Sequence, residues 1–281
     1  MAMSRLLRLP AFVRLGIVVD TAPNGVWLAL LAAALWPTAW WMGQRMLDGS
    51  DEPLGLLALA ALGVLLWHCR GRLRAAPRLG WLALALAAAL TSTATLWQVP
   101  PLLSSLLGLL ALGAGFVAFL PPGLATTPVL GLSVLSLPLL ASLQFYAGYP
   151  LRVVTAEASR WLLAAGFSVE RSGASLLVNG QLVIVDAPCS GVQMLWLGYF
   201  TACVVALYAQ RADSSFLARL PAVSLLVLAG NVVRNTVLVA FEASGQHLAG
   251  WAHEAVGLAL LAAVCAAIAR VMHGPLGGRH V

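Results

Sequence analysis

One cysteine in this chain has the neighbours of a reactive thiol. The segment VDAPCSGVQML, residues 185–195, places Cys189 where a polar stretch gives way to an apolar one. Ser190 and Gln193 have the spacing of a capping box. Because Pro188 cannot continue a helix backwards, we expect a helix to begin within a residue or so of Cys189. Unpaired N–H groups and the positive end of the helix dipole favour a thiolate there, which predicts a nucleophile.

Polar residues in later apolar segments complete a possible site. Arg234 lies inside AGNVVRNTVLVAF, and a charge in such a segment requires a partner or a function. Asn231 shares its helical face, and Gln193 and Asn231 either assist an oxyanion or satisfy neighbouring backbone groups. His253 begins the last apolar segment. Together they predict acyl transfer, in which Cys189 attacks a peptide carbonyl, His253 protonates the leaving amine, and Arg234 stabilises the oxyanion or the thiolate.

Each of these residues also has a plainer interpretation, which the sequence leaves open. Ser190 is an alternative nucleophile, although its capping role is the simpler explanation. Arg234 is also explained as the counter-ion of a carboxylate, either Glu242 or Glu254. His253 taken alone is typical of an interfacial histidine that water satisfies.

The composition is that of a polytopic membrane protein. Hydrophobic residues make up 61% of the 281 residues and charged residues 9%, and the mean hydropathy is +0.91. The net charge of +6 comes from 16 arginines against 10 acidic residues. Since arginines in short loops orient membrane helices, we expect no nucleic-acid partner. The four cysteines have no paired spacing, so neither a disulfide framework nor a metal site is expected, and no cofactor is implied.

Eight apolar segments are long enough to be transmembrane helices. They lie at about 25–43, 53–69, 79–97, 102–120, 124–146, 189–209, 217–241 and 252–271. Each is close to the roughly 20 residues that a bilayer requires. Residues 1–24 carry arginines among leucines, which predicts a retained amphipathic arm on the cytoplasmic surface. We therefore expect an all-α polytopic fold that forms a single membrane domain over residues 1–281.

The segment 147–187 has a different character and predicts a small extracytoplasmic platform. Apolar residues at helical spacing over 151–165 predict a short amphipathic helix. FSVER, SLLV and QLVIV are typical of strands, and Asn179-Gly180 between the last two predicts a type I′ hairpin. This platform would deliver the chain to a three-helix catalytic core at 188–272.

The distribution of arginine predicts an orientation. If the amino terminus is cytoplasmic and all eight segments cross, eleven of the sixteen arginines lie inside, including the cluster at 70–78. The same count brings Cys189, Arg234 and His253 to the extracytoplasmic side. This agreement is independent of any assumption about their chemistry.

At these residues the chain resembles the exosortase/archaeosortase family. The matching features are APCSGV around Cys189, the Asn-x-x-Arg of Asn231 and Arg234, His253 at the head of the last helix, and the stretch LQFYAGYPLRVVTAEASRWLLAAGFSV. The resemblance covers about 140–272, while the first 120 residues match only as generic membrane helices. Valine follows Cys-Ser-Gly where the family commonly has leucine or isoleucine, and we expect no extra carboxy-terminal domain of the kind that some members carry.

The resemblance implies a multi-pass sorting enzyme of the bacterial inner membrane, a cysteine protease or transpeptidase. Cys189 would be the nucleophile, completed by Arg234 and His253. Its partners would be exported proteins with a tripartite carboxy-terminal tail, which consists of a Pro-Glu-Pro-like motif, one transmembrane helix and an Arg-rich end. The family is associated with extracellular polysaccharide systems in Gram-negative bacteria. The acceptor of the acyl group stays open: water would make the enzyme a protease, and an amine or a polysaccharide-linked group would make it a transpeptidase.

A non-enzymatic role is the principal alternative. A permease or assembly scaffold of polysaccharide export would use Arg234 to line a path for an anionic substrate. A serine or metallo intramembrane protease is disfavoured, because neither Gly-x-Ser-x-Gly nor His-Glu-x-x-His occurs. The groups that would receive a substrate's basic end are not evident, since Asp20 and Asp213 are the only acidic residues expected on the cytoplasmic side.

Overall fold

The computed structural model of the chain describes residues 24–49, 51–185, 190–245 and 250–274. This described part contains ten helices and one three-stranded sheet. It divides into two compact units, the first containing residues 24–41 and 64–122 and the second containing 42–63 and the residues from 123 onwards. The predicted arm at 1–24 lies outside the described residues except for Asn24. The expected single domain stays a prediction.

The first unit is built from apolar helices. Its elements are α1 (Asn24–Ala34), the beginning of α2 (Trp36–Leu47), the end of α3 (Gly55–Cys69), α4 (Leu79–Ala94) and α5 (Pro101–Phe119). A bend of 62° separates α1 from α2, next to Pro37, whose missing N–H interrupts the helical hydrogen bonding. Helices α4 and α5 pack as a hairpin, in which Ser92 Oγ donates to the Ser104 carbonyl at 2.7 Å.

Two residues of the predicted arginine cluster hold the end of α5. The Arg74 guanidinium donates to the Leu120 carbonyl at 3.0 Å, and that of Arg78 donates to the Val117 carbonyl at 2.8 Å. Cations at a helix carboxyl end satisfy its last carbonyls and oppose the negative end of its dipole. The cluster therefore has a structural role besides its predicted effect on orientation.

The second unit contains the remaining helices and the sheet. Its further elements are α6 (Thr127–Leu135), α7 (Leu140–Leu163), β1 (Val169–Ser172), β2 (Ser175–Val178), β3 (Gln181–Ile184), α8 (Val192–Tyr208), α9 (Asp213–Ala243) and α10 (Gly250–His273). Helices α8, α9 and α10 pack against one another. They correspond to the predicted three-helix core.

The membrane prediction is confirmed in part. Within the described residues, three helices, α5, α9 and α10, are long and apolar enough to cross a bilayer, and the number rises to five if each bent pair counts as one span. Helices α3, α4 and α8 match predicted spans but are shorter, at 15, 16 and 17 residues. The chain is thus a multi-pass membrane protein, while the expected eight spans are not confirmed.

The boundary between the fifth predicted span and the platform is wrong. The segment 124–146 is not continuous, because α6 and α7 meet at a bend of 95°. Pro138 lies in this break, where it cannot donate a helical hydrogen bond and disfavours a helical residue before it. After the break α7 continues without interruption to Leu163, so the amphipathic helix expected at 151–165 is the second half of this longer helix.

The strands of the platform are confirmed, and they form a three-stranded antiparallel sheet in the order β1-β2-β3. Val178 pairs with Gln181 across the turn, and Asn179 and Gly180 have φ values of +51° and +85°, as a type I′ turn requires. The inner face of the sheet is buried in one cluster with residues of α7 and α9. Its members include Ala156, Leu176, Val183, Val185 and Val239.

Candidate active site

The chain around the predicted nucleophile is anchored to α9 on both sides. Residues Asp186 to Cys189 lie outside the described part of the chain, so the position of the thiol is not described. Before them, Val185 belongs to the buried cluster that contains Val239. After them, Gly191 lies against Asn231. The two anchor points are eight residues apart on α9, about 12 Å at about 1.5 Å per residue.

Gly191 has both a backbone and a packing requirement for glycine. Its φ is +86°, and a Cβ at this position would lie 2.8 Å from Asn231 Cγ. A side chain would therefore face an unfavourable left-handed backbone and a steric overlap. Glycine after Ser190 allows the start of α8 to approach α9 at Asn231.

The predicted reciprocal capping box is wrong, because Gln193 binds elsewhere, although Ser190 still accepts from the first amide of α8. Ser190 is 2% exposed; its Oγ donates to Gln144 Oε1 at 2.7 Å and accepts from the Val192 amide at 3.3 Å. Gln193 Nε2 donates to Glu52 Oε2 at 3.0 Å rather than reaching back to the helix start. Since left-handed Gly191 cannot lie inside a helix, α8 begins at Val192, three residues after Cys189 and later than expected.

Asn231 is a buried junction between α7, α8 and α9. Asn231 is only 2% exposed, and its Nδ2 donates to Thr155 Oγ1 of α7 at 3.1 Å. One turn later, Asn235 Nδ2 donates to the Asn231 carbonyl at 2.9 Å. The predicted support from Asn231 therefore includes a structural role, since it positions the turn at Gly191.

Arg234 lies on α9 between the two anchor points and reaches α10. A Cβ at Gly257 would lie 3.2 Å from Arg234 Nε, so the guanidinium packs where α10 lacks a side chain. His253 precedes Gly257 by four residues, which places the two on the same helical face about 6 Å apart along the axis. His253 is exposed. Arg234 thus meets α10 at Gly257, one helical turn after His253.

A cavity opens beside Ser190. Its volume is about 520 Å³, and its polar lining comprises Asp51, Glu52, Gln144, Ser190 and Gln193. The Asp51 carboxylate is buried, pairs with Arg45 at 3.5 Å and accepts from the Ala141 amide at 3.3 Å, at the start of α7. Because Glu52 is exposed, its carboxylate is the charge that a ligand in this cavity would meet.

Three residues of this arrangement are missing from the sequence prediction. Gln144 binds Ser190, Glu52 binds Gln193, and Thr155 binds Asn231. Gln144 and Thr155 are polar residues within the stretch LQFYAGYPLRVVTAEASRWLLAAGFSV that leads into the hairpin, and their polarity was the available signal. Nothing in the sequence pairs Glu52 with a residue 141 positions away.

One ion pair joins the sheet to α7, and a second lies within α7, both outside the predicted spans. Glu157 binds Arg160 at 2.7 Å, and Arg171 of β1 at 2.5 Å. Hydrogen bonds from Arg160 and then Arg171 lower the pKa of the Glu157 carboxyl to about 2. The platform therefore remains held to the helix that carries Gln144 through the neutral range of pH.

At the far end of α9, charged residues cap helices. Arg211 and Arg219 both donate to the Gly274 carbonyl at 2.9 Å, at the end of α10. Asp213 accepts from the Thr127 amide at 2.7 Å, at the start of α6. Asp213, one of two acidic residues considered for a substrate's basic end, is thus engaged within the protein.

A comparison with protein families decides the classification. The sequence model of the transmembrane exosortase family, Exosortase_EpsH, matches residues 40–270, which is more than half of the chain. The chain belongs to the transmembrane exosortase family. The matched range includes the candidate-site residues described above, from Glu52 to Gly257. No curated protein and no solved structure gives a significant match.

Proposed function

We propose that this exosortase is a membrane-embedded cysteine protease or transpeptidase that sorts exported proteins. Its substrates carry a carboxy-terminal tail with a Pro-Glu-Pro-like motif, a transmembrane helix and an Arg-rich end. Cys189 forms an acyl-enzyme with the substrate, His253 transfers the proton and Arg234 stabilises negative charge. The site faces the extracytoplasmic side of the bacterial inner membrane.

The observation that carries this proposal is the position of Arg234. The segment 186–189 follows Val185, which belongs to the buried cluster that contains Val239 of α9. It is followed by Ser190 and Gly191, and Gly191 lies against Asn231 of α9. Arg234 lies on the same helix between these two points. A fixed cation close to the nucleophile favours the thiolate and stabilises an oxyanion that develops on the attacked carbonyl.

The antiparallel packing of α9 and α10 supports the role of His253. Arg219 meets Gly274, Gly230 approaches Val264, and Arg234 approaches Gly257, so the two helices run in opposite directions in register. His253 lies one turn beyond Gly257, towards the end of α9 that carries the platform. A histidine at that end of α10 is the candidate general acid and base.

The reaction proceeds in two acyl-transfer steps. The Cys189 thiolate attacks the scissile carbonyl carbon, and the oxyanion collapses to a thioester as the C–N bond breaks. His253 gives its proton to the departing amine. The acceptor, water or an amine, then attacks the thioester, its proton passes to His253, and the thiolate leaves.

Thiol labelling tests the site without requiring a known substrate. Cys69, Cys203 and Cys265 are replaced by alanine, and a membrane-impermeant maleimide is applied to spheroplasts over a range of pH. We expect Cys189 to label from outside with a midpoint well below the roughly 8.5 of a free thiol. His253→Ala and Arg234→Gln should move that midpoint. His273→Ala, at the other end of α10, is the matched control and should leave it unchanged.

A tailed reporter tests the reaction itself. Cells that express the chain with an exported reporter carrying the tripartite tail should release or transfer the reporter, and Cys189→Ala should abolish this processing. If the fate of the reporter does not depend on Cys189, and the thiol titrates as an ordinary one, the enzyme proposal fails and the scaffold interpretation replaces it. If Cys189 is labelled only after the membrane is opened, the thiol faces the cytoplasm and the proposed orientation is wrong.

A further inference from the structure

A large groove in the first unit has an apolar lining. Its volume is about 830 Å³, and it is lined by α1, α4, α5 and the loop before α4, including Trp27, Leu31, Ala76, Leu86, Leu90 and Phe119. Asn24 and Thr93 are its few polar lining residues. The volume is within the range of small-molecule sites, and the lining would bind hydrocarbon.

The length of the groove matches one leaflet of a bilayer. Along α4 it extends from Leu82 to Thr93, which is roughly 16 Å at about 1.5 Å per residue. The hydrocarbon core of a bilayer is about 30 Å thick, so the groove reaches about to its middle. An acyl chain has this length and this chemistry.

One end of the groove is strongly basic. The lining residues Ala75 to Pro77 belong to the loop that contains Arg70, Arg72, Arg74 and Arg78. The described residues of the first unit, 24–41 and 64–122, contain these four arginines and no acidic residue. Basic pockets between membrane helices bind anionic lipid headgroups. The charge therefore lies where a headgroup would be, at one end of an acyl-chain groove.

Two of these arginines are available to a headgroup. Arg74 and Arg78 donate to the carbonyls at the end of α5, whereas Arg70 and Arg72 are exposed. The Arg70 guanidinium lies 3.6 Å from the ring centroid of Trp67, and Trp67 is 69% exposed. Exposed tryptophan and arginine are typical of the membrane–water interface, the level of lipid phosphates.

We propose that this groove is a binding site for an anionic phospholipid. Its acyl chains fill the space between α1 and α4, and its phosphate lies at the loop that carries Arg70 and Arg72. The Arg-rich end of a substrate tail does not fit this position, because four arginines and no carboxylate would repel it. The proposal is independent of the chemistry at Cys189.

Native mass spectrometry of the full chain in detergent tests the site. The chain is incubated with phosphatidylglycerol and with phosphatidylcholine of identical acyl chains. We expect one phosphatidylglycerol to remain bound per chain, in preference to phosphatidylcholine. Since each basic residue contributes about fivefold to anionic-lipid binding, Arg70→Gln with Arg72→Gln should reduce the preference by about 30-fold. Arg152→Gln, outside the first unit, is the charge control and should retain it.

A second pair of variants tests the groove. Ala89 lines the groove, while Ala87 on the same helix is exposed and does not. Ala89→Trp should abolish retention of the lipid, and Ala87→Trp should retain it. If Ala89→Trp does not fold, the arginine variants still decide the outcome, because Arg70 and Arg72 are exposed and their replacement leaves the buried packing unchanged.

Other occupants would give different results, each of which overturns the proposal. Equal retention of both lipids would show that no anionic headgroup is recognised. A dimer that Ala89→Trp dissociates would show that a second copy fills the groove. Increased lipid retention after removal of residues 1–23 would show that this segment fills it.

Discussion

Replacement of Gly191 by alanine gives the sharpest test of how the site is assembled. Gly191 has φ of +86° and Gly245 has φ of +71°, so both positions require the left-handed backbone. A Cβ at Gly191 would lie 2.8 Å from Asn231 Cγ and 3.2 Å from its Cβ, whereas nothing lies within 4 Å of a Cβ at Gly245. The pair therefore separates the backbone cost from the packing cost.

The expected magnitudes follow from these contacts. A left-handed residue other than glycine costs about 1–2 kcal/mol, which applies to Gly191→Ala and to Gly245→Ala alike. Overlap with Asn231 adds about 1–3 kcal/mol at Gly191 alone. Asn231 cannot easily move aside, because it is buried and bonded to Thr155. Gly191→Ala should thus destabilise the protein by about 2–5 kcal/mol in total.

The assay combines stability with thiol reactivity. Thermal unfolding in detergent should show a larger decrease in midpoint for Gly191→Ala than for Gly245→Ala. In a background that lacks the other three cysteines, the alkylation rate of Cys189 should change only for Gly191→Ala. Equal decreases in midpoint, with no change in alkylation, would refute the close packing of Gly191 on Asn231.

A double replacement tests the same contact from the other side. Asn231→Ala removes Cγ and Nδ2 and loses the hydrogen bond to Thr155, worth about 0.5–1.5 kcal/mol. Because it also removes the 2.8 Å overlap with Cγ and Nδ2 and leaves only the 3.2 Å approach of Cβ, the double variant should be more stable than the sum of the single effects by about 0.5–3 kcal/mol. Strict additivity would contradict the contact.

Three further predictions concern the surroundings of the site. Ser190→Ala and Gln144→Leu should each decrease stability, by about 0.5–1.5 kcal/mol for the hydrogen bond itself, and a double-mutant cycle of thermal midpoints should show that they are coupled. Because the folded pKa of Glu157 lies below its ordinary 4.5, at about 2, its contribution to platform stability is present above pH 4.5 and is lost as the pH falls towards 2. When the two chains are compared at the same pH, the sheet of the unmodified chain should therefore resist pepsin better than that of Glu157→Gln at pH 4.5, and the difference should narrow as the pH falls towards 2. Asp213→Ala should lower the unfolding free energy by about 0.5–2 kcal/mol through loss of the α6 cap, with no change in the alkylation of Cys189; a changed alkylation rate would link the two ends of α9.

The platform shows which structural features the local sequence predicts and which it does not. Alternation of apolar residues predicts the strands, and Asn179-Gly180 predicts their turn, because both depend on residues that are neighbours in the chain. The same locality explains the error at the fifth span. Hydropathy continues through Pro138, yet the backbone there turns by 95° and the next helix extends to Leu163.

The candidate site shows the same difference between properties of neighbouring residues and contacts between distant segments. The sequence by itself determined the membrane class, the strands of the platform and the types of residue in the candidate site, since apolar length, turn chemistry and buried polar groups are local properties. The tertiary structure alone decided which segments meet. The bonds of Ser190 to Gln144 and of Gln193 to Glu52 join residues 46 and 141 positions apart. The approach of Arg234 to Gly257 depends on the packing of two helices, which glycine permits and no local pattern encodes.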